Sequence, residues 1–139
     1  MNDSPSRRFL FPDGLAKVPG YTPVVEVRAG RTAYISGQVP TDEVGRLIGA
    51  SDFEAQARQV FQNLERALRA ADMDFSHVVK FGIYLTDMAN LTAMRRVRDE
   101  FIGAAQPPAS TLVQVAALGH PEWLFEVDAV AVAPLDAGA

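Results

Sequence analysis

The sequence predicts an α+β fold: a mixed β-sheet with two helices on one face. Three observations carry this. Two stretches place apolar residues at helical spacing, five short runs are rich in β-branched residues or alternate, and their order is β-β-α-β-α-β-β. Two helices cover one face of such a sheet, so the other face needs a partner.

The first strand is read at residues 24–28, Val-Val-Glu-Val-Arg. A tight turn at Ala29-Gly30-Arg31 leads into a second strand at residues 32–37, so the pair is expected to form a β-hairpin. Residues 40–49 contain Asp42, Gly45 and Gly49 without periodicity and are expected to form an irregular exposed connection. Phe53, Ala57, Val60, Phe61, Leu64, Leu68 and Ala71 then mark a helix to about Asp72, with Ser51 or Asp52 as N-cap. Residues 78–85 form a mostly apolar strand with one helix-covered face. Leu91, Met94, Val97 and Phe101 stripe a second helix, stopped by Gly103 and Pro107-Pro108. Residues 110–115 and 124–132 supply the last two strands. In the final one, Phe125, Val127, Ala129 and Ala131 oppose a set that contains Glu126 and Asp128, which suggests an interface or cleft edge on that side.

The chain has 139 residues, 48% of them hydrophobic and 22% charged, the balance of one folded domain over residues 1–139 with its core at about 18–134. Residues 1 to about 12 and 136–139 are expected to be loose. No apolar run approaches the roughly 20 residues of a membrane span, and the N-terminus lacks a signal-type apolar segment, so a soluble cytoplasmic protein is expected. A net charge of −4 with dispersed arginines argues against nucleic-acid binding.

The sequence has no cysteine, which excludes disulfides, thiolate metal sites and cysteine nucleophiles. Neither His77 nor His120 has a second ligand at metal-binding spacing, so no metal is expected. Ser36-Gly37 lacks the nucleophile elbow of a serine hydrolase, and the glycines form neither a Walker nor a dinucleotide pattern. What remains is Glu126 and Asp128, whose bland reading is a solvated or salt-bridged pair. Arg95, Arg96 and Arg98 similarly read as the wet face of the second helix, pairing with Asp99 and Glu100.

Several strings in order resemble the Rid/YjgF family. They are Pro19-Gly20-Tyr21, Ile35-Ser36-Gly37-Gln38-Val39-Pro40, the run from Ala55 to Leu64, the run from Val78 to Asp87, Pro108-Ala109-Ser110-Thr111-Leu112, and the run from Leu124 to Val132. The resemblance implies small homotrimers with a chorismate-mutase-like fold. It also implies hydrolysis of a reactive imine or enamine to a 2-keto acid and ammonia, without a cofactor, in a cleft between subunits. Carried over residue by residue, Glu126 directs the water while Tyr21, Ser36 and Gly37 line the pocket. The family's carboxylate-binding arginine does not carry over, because its place is Ser110, and a hydroxyl cannot replace a bidentate guanidinium. Arg95 lies near the position of a family pocket residue on the second helix and is a candidate replacement cation. The partners implied are further copies of the chain and a small imine, enamine or carboxylate ligand.

Three functions follow, in this order: an imine or enamine deaminase with altered substrate range, a non-catalytic small-molecule-binding or regulatory trimer, and an endoribonuclease. The acidic charge and lack of a histidine pair place the third last.

Overall fold

The computed structural model describes residues 6–103 and 106–135; the expected loose ends at residues 1–5 and 136–139 lie outside that range. Six strands and two α-helices are formed among the described residues: β1 (Arg7–Leu10), β2 (Val24–Val27), β3 (Arg31–Gln38), α1 (Phe53–Ala70), β4 (Val78–Leu85), α2 (Leu91–Phe101), β5 (Ala109–Gln114) and β6 (Phe125–Ala133).

The main sheet has the order β3-β6-β4-β5. Only the β4–β5 pair is parallel, and α2 supplies the crossover that a parallel pair needs. The sheet is therefore mixed, as the element order predicts. The expected hairpin does not form. β2 pairs antiparallel with β1, Arg7 opposite Val27, in a separate two-stranded sheet, while β3 pairs with β6. The physical reason is non-local: β6 offers β3 a continuous run of partners from Val127 to Ala133, and β1 satisfies the edge of β2. Within the N-terminal stretch expected to be loose, residues 7–10 are instead that partner strand. Gly30 sits between the two sheets at φ +139°, where a Cβ would stand 2.6 Å from the Ala133 carbonyl oxygen, so the junction requires glycine.

α1 begins where Asp52 Oδ1 accepts a hydrogen bond from the Ala55 amide at 3.2 Å. Its stripe of Ala57, Val60, Phe61, Leu64 and Leu68 packs on β6 and β3 and joins Phe81, Ile83 and Leu85 of β4 and Phe125, Val127 and Ala129 of β6 in one buried core. Phe61 is the hub, with ring centroids of Phe101 at 5.5 Å and Phe125 at 5.7 Å. Truncating such a residue costs about 3–5 kcal/mol. Among the described residues, no helix covers the opposite face of the sheet. Tyr34 stands there 82% exposed, and Thr32 and Ser36 on the same strand are exposed too.

Candidate functional site

The expected site residues fall into two groups on opposite faces of the sheet. The first lies on the open face. Between Ile35↔Ala129 and Gln38↔Val127, β3 uses one residue more than β6, so Ser36 and Gly37 both oppose Asp128 in a β-bulge. That bulge turns Gly37 toward Glu126. A Cβ on Gly37 would stand 2.1 Å from Glu126 Oε2, so the carboxylate lies against bare backbone. On the other side, Gly82 of β4 opposes Asp128, and a Cβ there would stand 2.5 Å from Asp128 Oδ1. Two flanking glycines thus make room for two carboxylates lying along one sheet face.

Electrostatics distinguish this pair from ordinary surface acids. Burial pushes the Glu126 pKa above its usual value, and the nearby Asp128 charge pushes it the same way. Asp128 accepts a hydrogen bond from the Tyr84 hydroxyl at 3.0 Å, which in turn raises the Tyr84 pKa. The bland expectation for Glu126 and Asp128 is a solvated or salt-bridged pair. Neither carboxylate makes an ion pair with a basic side chain among the described residues.

The second group lines a groove of about 370 Å³ between α2 and β5, where Tyr21, Arg95 and Ser110 come together over Ile83 and Met94. Thr22 sets this arrangement. It is fully buried, its amide donates to the Pro108 carbonyl at 3.0 Å and its hydroxyl donates to the Pro107 carbonyl, which ties the Tyr21 segment to the start of β5. Arg98 lines the same groove, a residue the sequence analysis assigned to the wet face of the helix. Its spacing of three from Arg95 is the signal that places both on one side of α2. The rest of that wet-face reading holds in part: Arg98 bonds Asp99, Arg96 bonds Glu54 and Arg58 bonds Glu100.

The groups do not meet within one chain. Ser110 is in register with Phe81, on the helix side, whereas Glu126 is in register with Tyr84, on the open side, and the sheet lies between them. Both histidines are occupied locally: Nδ1 of His77 accepts from the Asp74 amide and Nδ1 of His120 from the Glu122 amide. No cluster of three or more metal-ligating side chains occurs among the described residues. No described helix is long and apolar enough to cross a membrane.

Residues 13–133 match the sequence model of a family described as endoribonuclease L-PSP. The chain is 38% identical over 128 residues to Protein DfrA of Myxococcus xanthus, covering 91% of this chain and 96% of that one. It is 36% identical over 118 residues to the mouse 2-iminobutanoate/2-iminopropanoate deaminase, covering 84% of each. Among solved structures, a Yersinia pestis protein of the conserved Rid family superposes with a TM-score of 0.82 at 36% identity, over 92% of this chain and 99% of the other. The chain therefore belongs to the Rid/YjgF family, the one whose sequence model carries the description endoribonuclease L-PSP.

Proposed function

We propose that the protein hydrolyses the C=N bond of a small carboxylate-bearing imine, in a cleft that forms when the open-face group of one copy meets the α2–β5 groove of another. The observation that carries this reading is the state of Glu126: a carboxylate set against glycine backbone, without a cationic partner among the described residues, and with its pKa raised by burial and by Asp128. A general base is most effective when its pKa lies near the working pH. Glu126 takes a proton from water as the water oxygen bonds to the imine carbon. The nitrogen takes up a proton, and collapse of the tetrahedral adduct releases ammonia and leaves a keto acid. Gly37 lies against the same carboxylate and Ser36 shares its bulge, while Tyr21, Ser110 and Arg95 hold the substrate from the neighbouring copy. Such a face-to-edge contact is heterologous, the kind that builds a ring such as a homotrimer when its rotation closes. The names of the mammalian relatives support the reaction class.

One observation favours a second reading. Ser110 supplies no cation from β5, so a trimer that binds a metabolite without turning it over fits the same cleft. RNA cleavage ranks below both, given the net charge of −4.

A coupled assay separates these. 2-Aminoacrylate and 2-aminocrotonate are generated enzymatically, and keto-acid formation is compared for wild type, Ser110→Arg and Glu126→Gln. Activity in wild type and loss in Glu126→Gln is the expected result; activity gained only in Ser110→Arg assigns the native chain to the binder reading.

A further inference from the structure

The α2–β5 groove holds an excess of unused donors. The Arg98 side chain is only 20% exposed, yet its only bonds among the described residues run from Nε and Nη2 to a single oxygen of Asp99, at 3.3 and 3.2 Å. Asp99 is its chain neighbour and 68% exposed, a weak claim on a guanidinium. Nη1 has no acceptor among the described residues. It lies 3.9 Å from where a Cβ on Gly20 would stand, tucked beneath the segment that leads into Tyr21. Arg95 is exposed and makes no hydrogen bond or ion pair among the described residues, and the same holds for the hydroxyls of Tyr21 and Ser110. Four donor groups, two of them cationic, therefore line one groove over the apolar floor of Ile83, Met94 and Leu112, and no acidic side chain lines it among the described residues. Asp99 borders the adjoining groove of about 220 Å³ beside Ser110.

We propose that Arg98, assisted by Arg95, is the anion clamp of this groove, holding a ligand carboxylate from helix α2 across Ser110 in place of any cation on β5. The ligand class is a short 2-oxo or 2-imino monocarboxylic acid with an apolar side chain, its carboxylate on the free Nη1 side of Arg98 and its chain on the Ile83–Met94 floor. A guanidinium fork presents parallel N–H donors that match a carboxylate. The small Ser110 leaves room for that anion where a longer side chain would fill the groove. The inference rests on the groove being the substrate's binding half, and its test does not depend on turnover.

Binding of 2-oxobutanoate and of its neutral amide to the full chain is measured by calorimetry for wild type, Arg98→Gln, Arg98→Met, Arg95→Gln and Glu126→Gln. Wild type is expected to prefer the acid. Both Arg98 variants are expected to lose about tenfold or more in acid affinity with little change for the amide. Arg95→Gln should lose less, and Glu126→Gln should keep the preference. The methionine variant retains the packing of the arginine stem, and melting curves confirm folding for each protein. Equal binding of acid and amide by wild type, or unchanged acid binding in folded Arg98→Met, overturns the clamp. If imine turnover is absent but the acid preference still depends on Arg98, the deaminase reading fails and the clamp stands. If turnover depends on Glu126 while acid binding ignores Arg98, the reverse holds.

Discussion

The Tyr84 hydroxyl donates a 3.0 Å hydrogen bond to Asp128 Oδ2, and Asp128 is the next residue after Glu126 on the same face of β6. This fixes the charge that acts on Glu126. Lys80 of the neighbouring β4 donates to the Thr111 hydroxyl and makes no ion pair with either carboxylate among the described residues. Asp128→Asn is expected to bring the Glu126 pKa down, because one of its two causes disappears, and to bring the Tyr84 pKa down as well. Carbon-13 titration of the Glu126 carboxyl and phenolate absorbance would follow the two. The acid limb of any pH–rate profile should move to lower pH, and a Glu126 titration unchanged by the substitution would remove Asp128 from the account.

The same shift has a consequence for stability. A carboxyl whose pKa is raised on folding binds its proton more tightly in the folded chain than in the unfolded one. Its contribution is present below the unfolded value and is lost as pH rises through the folded value. Ionised Glu126 therefore weakens the fold at neutral pH. Glu126→Gln is expected to raise the melting temperature at pH 7 and to leave it nearly unchanged at pH 4, while abolishing turnover. A variant that melts lower at pH 7 than wild type would contradict this.

Gly37 tests the shape of the open-face group. An added Cβ would stand 2.1 Å from Glu126 Oε2 and 2.8 Å from its Cδ, so the flexible carboxylate must swing away. Displacing a catalytic group by about 1 Å can cost on the order of 10²-fold in rate. Gly37→Ala is expected to lose turnover on that scale while its melting temperature changes little, since the side chain that yields is partly solvated. Steady-state kinetics beside a thermal melt distinguishes this from general misfolding.

Local periodicity made most of the fold legible. The apolar stripe from Phe53 to Leu68 and the N-cap at Asp52 locate α1 to within two residues, and the apolar run over β4 matches its bounds. The alternation in β6 separates buried Phe125, Val127 and Ala129 from half-buried Glu126 and Asp128. Pairing between distant segments was not legible: the preference of β2 for β1 over its sequence neighbour depends on residues 7–10, whose strand character is too short to read alone. The bulge at Ser36-Gly37 likewise depends on register with β6. Arg98 resembled its solvated neighbours because its burial comes from the segment that Thr22 ties to Pro107 and Pro108, more than 80 residues away in sequence.

Gln56 shows the same limitation, since its polar side chain sits within α1 yet is completely buried. Its Nε2 donates to the carbonyls of Gly49 and Glu122, both at 3.0 Å, and its Oε1 accepts from the Leu124 amide at 2.8 Å. One side chain thereby joins the loop before α1 to the chain entering β6, two residues ahead of Glu126. Gln56→Leu keeps the bulk but strands three backbone groups away from water. Each unsatisfied group costs about 1–3 kcal/mol, with partial relaxation bringing the total to about 2–4 kcal/mol. Urea denaturation should show that loss, and amide exchange at Leu124 and Phe125 should accelerate more than exchange in the centre of β4. Equal acceleration in both strands would mean that Gln56 supports the whole core and not the entry to β6, whereas a loss confined to β6 makes it the residue that holds the Glu126 strand in register.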